Sequence, residues 1–319
     1  MARIGSYADC GLVVGHCTDV AGATGCTVIR GATSPFRAGA HVLGRAPGTR
    51  ELALLSPENL VDRIDAIMLS GGSAYGIDAA AGVMRWMEER GRGFSVGAGV
   101  VPIVPAAVIF DLMPLGRFDA RPTAQMAWAA CESATEHPEE GSVGAGTGAT
   151  VGKIAGPQSA MKGGVGIGFM ASGPVVVRAL AVVNALGDVR DSNGAILAGA
   201  RRPDGQWIDS ALFAARGADT VARFDEVAGR NTTLCVVSTN ALFSRVELTS
   251  LARAASAALY QRITPVGTPF DGDIIFATAP LTGGIPATQT QVEALAVLAL
   301  ADAIERAVQT AAPGDIYRG

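Results

Sequence analysis

The chain has 319 residues, which is enough for a large buried core in one domain or in two modest ones. Charged residues make up 17% of the chain and the formal net charge is −4, so no basic face is expected to bind nucleic acid or anionic lipid. The 41 glycines and the low aromatic content of 5% indicate tight backbone packing and extensive burial, part of it between the subunits of a homo-oligomer.

Cysteine, histidine and the N-terminal residues argue against several further kinds of site. The five cysteines are an odd number with no CxxC pair, so we expect reduced, buried thiols. None of the three histidines stands at a metal-ligand spacing or beside a Gly-x-Ser-x-Gly elbow, so we expect no metal, no cofactor and no serine–histidine triad. The chain starts with no charged-then-apolar leader, and charge or proline interrupts its apolar stretches, so we expect a cytoplasmic protein without a membrane partner.

The first part of the chain predicts strands followed by helices, from short apolar runs and from apolar residues at helical spacing. The predicted elements are strands at 11–15, 26–30 and 65–69, a glycine-rich turn at 70–76, a helix over 77–90, an extended segment over 101–111 and a helix over 123–135.

Glycine dominates residues 141–173, which predicts a close approach of the backbone to another part of the molecule. A phosphate-binding loop is the alternative interpretation. It is disfavoured because Ile154 follows Lys153 where that motif has Ser or Thr, and because Thr147 stands where the motif has glycine. An apolar strand over 175–183 then leads to Asn184.

The second part of the chain begins with residues 201–230, which are polar and rich in turn formers and predict an exposed connector. A strand over 233–238 follows, and the capping box formed by Ser244 and Glu247 opens a helix that runs to about residue 262. A strand over 274–278 and a last helix over about 288–310 complete the chain. This order predicts an α+β fold in which helices cover two packed β-layers from outside.

The bond between Asn231 and Thr232 stands at the start of the predicted strand and suggests self-cleavage. If the Thr232 hydroxyl adds to the Asn231 carbonyl, an N-to-O acyl shift and hydrolysis free an N-terminal threonine. Its α-amine, with a pKa of about 7.7–8.0, takes a proton from the hydroxyl near neutral pH without help from histidine. Thr233 is a second candidate nucleophile, and an ordinary loop-to-strand junction is the alternative interpretation of the tripeptide.

Cleavage at this bond predicts two fragments, residues 1–231 and residues 232–319. Because strands are predicted on both sides of the bond, neither fragment holds a complete core. The fragments are therefore expected to stay together as partners in one domain.

Several motifs, in the same order along nearly the whole chain, resemble the self-processing aminopeptidases and amidases. This family includes L-aminopeptidase/D-Ala-esterase, the β-peptidyl aminopeptidases and the nylon-oligomer hydrolase, and the motifs look most like those of the nylon-oligomer hydrolase. The matching segments are 24–29, 71–76, 107–111, 144–153, 231–233, 246–248 and 270–273.

The resemblance implies a four-layer αββα sandwich, a single domain formed by two chains after autocleavage between Asn231 and Thr232. It implies attack by Thr232 on a small amide or peptide substrate: an α- or β-peptide with a free amino end, a D-amino amide, or a linear oligoamide such as a nylon oligomer. It also implies a tetramer of processed units.

The resemblance assigns further roles residue by residue. Asn184 would donate its amide to the oxyanion, and Lys153 would place its ammonium near Thr232. Asp271 and Asp273 would point to the same side and orient the Thr232 amine or hold a substrate cation. The alternatives are a turn-forming asparagine, a solvated surface lysine and an ordinary Asp-Gly-Asp turn.

Two aromatic residues are candidates for substrate binding. Phe110 stands where the nylon-oligomer hydrolase pattern has Tyr, so a hydroxyl contact from that position is absent here. Tyr75 is a candidate replacement, with packing in the core as the alternative.

Two other functions compete with hydrolysis. An acyltransferase of the ornithine-acetyltransferase type also attacks through a threonine exposed by self-cleavage, but its Lys-Gly-Thr/Ser-type signature is missing near residue 231. The second rival is an unprocessed, non-catalytic binding protein on the same fold.

Overall fold

A computed structural model describes residues 5–216 and 231–311. The strands are β1 (Leu12–Asp19), β2 (Thr24–Gly31), β3 (Phe36–Val42), β4 (Thr49–Arg50), β5 (Ala66–Ser70), β6 (Phe94–Ser95), β7 (Val100–Val101), β8 (Ala106–Val108), β9 (Thr150–Val151), β10 (Met161–Lys162), β11 (Gly164–Ser172), β12 (Val175–Asn184), β13 (Asp188–Arg190), β14 (Ile196–Ala198), β15 (Thr232–Thr239), β16 (Ile263–Thr264) and β17 (Ile274–Pro280). The helices are α1 (Ala80–Glu88), α2 (Ala124–Glu132), α3 (Ser210–Ala215), α4 (Arg245–Ala255), α5 (Ala257–Arg262) and α6 (Gln289–Gln309), with 3-10 turns at Tyr7–Cys10, Leu52–Leu55, Ser73–Ala79, Gly144–Gly146 and Pro157–Ser159.

Two five-stranded sheets form the centre of the molecule. The first has the order β1-β2-β5-β8-β4 and the second the order β11-β12-β15-β17-β3. Neighbouring strands are antiparallel except in the pairs β5/β8 and β15/β17, which are parallel. The second sheet combines strands from both sides of the Asn231–Thr232 bond, since β15 lies between β12 and β17 and β3 closes the edge.

The hydrophobic core has three parts, which follow from the alternation of side chains along the strands. Leu234 and Val236 of β15 belong to a cluster to which both sheets contribute, whereas Cys235 and Val237 belong to a cluster with α4, α5 and α6. The other face of the first sheet packs against α1 and α2. The structure is therefore a single domain of mixed α and β content.

The glycines of β11 explain the glycine-rich sequence there. A Cβ built on Gly164, Gly166 or Gly168 would collide with the backbone of α6, because these alternate residues face that helix. The expected close backbone approach is thus confirmed, and its partner is the last helix of the chain.

Most predicted elements are confirmed, and two of the predicted helices differ in detail. The helix expected over 77–90 begins as the 3-10 turn Ser73–Ala79, and the helix expected to run to about residue 262 is divided at Ser256 into α4 and α5. Among the strands that are not predicted are β3, whose Phe-Arg-Ala-Gly-Ala-His-Val sequence has few large apolar residues, and β11, which lies in the glycine-rich segment.

The predicted connector at 201–230 is described only up to residue 216. That part contains α3, whose Ser210 donates both its backbone N–H and its hydroxyl to the buried Asp188 carboxylate. Residues 217–230 of the connector lie outside the described residues.

The predicted burial of the cysteines is confirmed for four of the five. Cys17 is only partly buried, unlike the other four cysteines, because it lies toward the end of β1, where the later residues are partly exposed.

Within residues 5–216 and 231–311, none of the helices has the length and apolar character needed to cross a bilayer.

Candidate active site

Strand pairing brings Asn184 and Thr232 together. Asn184 ends β12 and Thr232 begins β15, and the antiparallel register sets the two residues directly opposite each other. By alternation from Leu234, both side chains belong to the face of the sheet that meets the first sheet. Both residues are buried, with Thr232 only 4% exposed. The candidate site therefore lies between the sheets, at the ends of these strands.

The Thr232 hydroxyl lies against the peptide bond that precedes it. Its Oγ1 donates to the Asn231 carbonyl oxygen at 2.6 Å, and the Gly272 backbone N–H donates to the same oxygen at 2.9 Å. A parallel bridge between Asn231 and Asp271 holds the two segments side by side. Two donors thus polarise the carbonyl group next to the hydroxyl.

Gly272 lies against Thr232 and is not among the site residues predicted from the sequence. A Cβ at this residue would lie 2.7 Å from Thr232 Oγ1 and 2.7 Å from the Ala46 carbonyl oxygen. A side chain here would displace the hydroxyl or the loop. A glycine in an Asp-Gly-Asp segment is an ordinary turn feature, so the sequence contained no signal for this role.

The two aspartates are fixed by backbone groups. Asp273 Oδ1 accepts the Thr233 N–H at 2.6 Å, and Asp271 Oδ2 accepts the Thr268 N–H at 2.8 Å. In the described chain, with the Asn231–Thr232 peptide bond intact, neither carboxylate hydrogen-bonds Thr232 itself.

Burial shifts both aspartates toward the protonated form. Burial raises the pKa of Asp271 to about 6. Burial, and then the neighbouring Asp271 charge, raises the pKa of Asp273 to about 8. The pair therefore changes its charge around neutral pH.

A loop of the N-terminal region fixes the backbone of the two aspartates. The N–H groups of Leu43 and Gly44 donate to the Asp273 carbonyl, and those of Arg45 and Ala46 donate to the Asp271 carbonyl. This loop directly follows β3, so the edge strand of the second sheet positions the aspartates.

Lys153 is a partly buried ammonium bonded inside the protein rather than a solvated surface lysine. Its Nζ donates to Asn184 Oδ1 at 2.8 Å and to the Asn184 carbonyl oxygen at 3.1 Å. Burial lowers the pKa of Lys153 to about 7, although Asp271 and Asp273 oppose that shift. The lysine thus reaches the site through Asn184.

The orientation of the Asn184 amide follows from its partners. Oδ1 accepts from Lys153 Nζ and from the Thr150 N–H at 3.0 Å, so the other atom must be the donor nitrogen. Nδ2 donates to the Phe110 carbonyl oxygen at 3.1 Å. Asn184 is therefore more than a turn former at a strand end, since it links three segments of the site.

The two aromatic candidates have different surroundings. Phe110 contacts Asn184 through its backbone carbonyl. The Tyr75 ring is 53% exposed and does not pack in the core. It stands edge-on to Phe118, and the guanidinium of Arg121 lies over it.

Asp111 is a second buried residue near the candidate site that is not among the site residues predicted from the sequence. Its buried carboxylate accepts the Thr24 hydroxyl and the Gly72 N–H, each at 2.6 Å, and burial raises its pKa to about 6. It joins the segment of Phe110 to the turn that carries Tyr75. The carboxylate at the end of the apolar run 107–111 was the available signal.

Among the described residues, no group of three or more His, Cys, Asp and Glu side chains has the arrangement of a metal site.

Comparison with known proteins identifies relatives over almost the whole chain. The family model for Peptidase family S58 matches residues 9–313. An uncharacterised aminopeptidase of Mycobacterium tuberculosis is 41% identical over 288 residues, covering 83% of this chain and 78% of that protein. The 6-aminohexanoate-oligomer endohydrolase of Kocuria sp. is 30% identical over 310 residues, covering 92% and 81%. The resemblance inferred from the motifs is confirmed.

Two solved structures share the fold. The L-aminopeptidase D-Ala-esterase/amidase of Ochrobactrum anthropi, described as a variant of the Ntn hydrolase fold, has a TM-score of 0.68 at 19% identity and covers 94% of this chain and 84% of its own. A β-aminopeptidase of Burkholderia sp. has a TM-score of 0.65 at 21% identity with coverage of 94% and 84%.

Proposed function

The chain belongs to peptidase family S58, and from this premise we propose that it is a self-processing hydrolase whose nucleophile is Thr232. Cleavage after Asn231 divides the domain into residues 1–231 and 232–319, which remain together as a four-layer αββα sandwich. The processed enzyme cleaves amide bonds of peptides with a free amino end, including β-peptides and D-amino amides, or of linear oligoamides.

The observation that carries the proposal is the contact between Thr232 Oγ1 and the Asn231 carbonyl oxygen, at 2.6 Å. In the first step Oγ1 bonds to the carbonyl carbon, the C–N bond breaks and the hydroxyl proton passes to the departing nitrogen, which leaves an ester and a free α-amine. The Gly272 N–H faces the oxygen on which negative charge develops. Water then hydrolyses the ester and releases the Asn231 carboxylate.

After cleavage the same hydroxyl attacks substrate. The new α-amine accepts its proton, because its pKa lies near neutral pH and the two groups belong to one residue. Asn184 Nδ2 is oriented by the Thr150 and Lys153 contacts to donate to the substrate oxyanion. One such donor in a dry site contributes about 2.7–4 kcal/mol to transition-state stabilisation.

The relatives support an amide substrate. One is named an aminopeptidase and another a 6-aminohexanoate-oligomer endohydrolase, and both names refer to amide hydrolysis. An assay that offers an acetyl donor and ornithine distinguishes this proposal from acyl transfer, since transfer faster than hydrolysis would contradict it.

Denaturing electrophoresis of the purified protein tests the proposal. We expect two fragments, and N-terminal sequencing of the smaller one should begin at Thr232. Thr233→Ala is the matched control and should still be cleaved at the same bond. An intact chain in a sample that hydrolyses amides, or a fragment that begins at Thr233, would contradict the assignment.

A further inference from the structure

Arg121 is held in an unusual position on the loop between β8 and α2. Its guanidinium carbon lies 3.6 Å from the centre of the Tyr75 ring and 5.1 Å from that of Phe118. Its Nε donates to the Phe118 carbonyl oxygen at 3.2 Å. In the described ranges, Nη1 and Nη2 of Arg121 make no hydrogen bond and no ion pair.

The surroundings of Arg121 fix the orientation of its guanidinium. Tyr75 and Phe118 are 53% and 62% exposed, and their rings stand edge to face with centroids 6.4 Å apart. Stacking on aromatic faces and the Nε bond restrict the planar guanidinium, so less side-chain entropy is lost when it binds a ligand. The remaining donors form a fork that matches the two oxygens of a carboxylate.

A neighbouring arginine on the same loop provides a contrast. Arg117 is also exposed, but its guanidinium makes a two-point ion pair with Asp119, at 3.1 and 3.2 Å. Its charge is therefore already compensated within the loop. The Arg121 charge has no acidic side chain within ion-pair distance in the described residues, which suits it to an anionic ligand.

A continuous series of contacts joins Arg121 to the candidate active site. Asn184, opposite Thr232, donates to the Phe110 carbonyl, and the next residue, Asp111, accepts the Gly72 N–H. Gly72 in turn lies against Pro122, whose Cδ would be 3.0 Å from a Cβ at Gly72. Arg121 and the turn of Tyr75 are thus connected, through Pro122 and Gly72, to the segment of Phe110 that contacts Asn184.

We propose that Arg121, held by Tyr75 and Phe118, binds the terminal carboxylate of the peptide or oligoamide substrate, on the leaving-group side of the scissile amide. This inference rests on the proposed amide hydrolysis. A substrate with a free amino end in the acyl part has its carboxylate at the other end, where a cation outside the catalytic centre can bind it. Because an extended chain advances about 3.3–3.6 Å per α-residue, the contact requires a minimum substrate length.

The test compares substrates of increasing length, each prepared as a free acid and as a C-terminal carboxamide. The processed wild-type enzyme should favour the free acid by about fivefold in kcat/KM, mainly through KM, once the substrate is long enough. In Arg121→Gln the ratio of acid to carboxamide should fall to about one. Arg121→Lys, which keeps the charge without the planar fork, should give an intermediate ratio.

Arg117→Gln is the matched control, because it removes an exposed arginine from the same loop, and it should keep the wild-type ratio. Two results would overturn the inference: equal rates for acid and carboxamide at every length, or an unchanged preference in Arg121→Gln. A calorimetric comparison of the leaving peptide as acid and as carboxamide measures the same preference without turnover. Equal affinities there would also overturn it, whereas failure of the proposed function would appear as an uncleaved, inactive chain.

Discussion

Two buried clusters in this protein have the same chemical ingredients and different arrangements. One combines Thr232, Lys153 and the Asp271/Asp273 pair, and the other combines Thr24, Lys162 and Asp111. In each, burial lowers the pKa of the lysine to about 7 and raises the pKa of a carboxyl group to about 6 or above. Shifted pKa values alone therefore do not distinguish the proposed reactive centre from the cluster of Asp111.

The difference lies in the partners of the threonine and the lysine. The Thr24 hydroxyl donates to a carboxylate, and Lys162 donates to the carbonyls of Gly146, Ala149 and Gly163, at 2.7–3.2 Å. The Thr232 hydroxyl instead donates to a peptide carbonyl that has a second donor. In these two clusters, the atom that the threonine hydroxyl contacts indicates the chemistry of the site better than the acidic and basic side chains nearby do.

The largest expected effect is on self-cleavage, and it distinguishes Thr232 from Thr24. Thr232→Ala should remove self-cleavage completely, because no hydroxyl remains to attack the Asn231 carbonyl. Thr24→Ala should still yield both fragments. Electrophoresis of the two variants checks this expectation, and a cut after Asn231 in Thr232→Ala would assign the attack to another group.

The next effect concerns Gly272. Gly272→Ala should slow self-cleavage by about 100-fold, because its Cβ would displace Thr232 Oγ1 and disturb an oxyanion donor. Gly99→Ala is the control, since a Cβ there meets no atom within 4 Å. A time course of fragment appearance after synthesis measures both rates, and equal rates would remove Gly272 from the mechanism.

Substitution of Lys153 should affect the rate of self-cleavage, whereas substitution of Lys162 should affect the stability of the fold. Lys153→Met should slow self-cleavage by at least about tenfold, because Asn184 loses the charged donor to its Oδ1. Lys162→Met should instead lower the free energy of unfolding by about 2 kcal/mol, because carbonyl groups lose a buried donor. Cleavage rates, measured in chains that keep Thr232, and urea unfolding, measured in a Thr232→Ala background, test this contrast. It fails if Lys162→Met is the slower variant to cleave.

The last effect is a pH dependence of stability from Asp111. Its folded pKa of about 6 lies above the ordinary value of 3.8, so the folded state binds the proton more tightly. This contribution is fully present below about pH 4 and is lost as the pH rises through 6, with a size of about 2–3 kcal/mol. Urea unfolding of the Thr232→Ala protein, with and without Asp111→Asn, measures it as the difference between two pH curves. Parallel curves from pH 4 to 7 would contradict it.

The sequence predicts those parts of the site that depend on local pattern. The strand ending at Asn184, the strand beginning near Thr232 and the Asp-Gly-Asp segment before β17 are each visible from apolar runs and their boundaries. The family motifs add that these segments belong to one site. The α+β class follows from the order of the same elements.

Other parts of the site depend on contacts that no local pattern encodes. The register that sets Asn184 opposite Thr232 joins residues far apart in the chain. The Gly272 donor is a backbone N–H, which every residue except proline has, so residue type gives no signal for it. Strand β3 and its loop matter through pairing with β17 and through backbone bonds to Asp271 and Asp273.

The position of β15 between β12 and β17 has a consequence for the order of events in the life of the molecule. The hydroxyl and its target carbonyl are aligned only when strands from before and after the bond have already assembled with one another. Under the proposed mechanism, a newly made polypeptide must finish folding before it can be cut. Maturation would then act as a built-in check of assembly, since a misfolded copy would stay in one piece and lack a nucleophile.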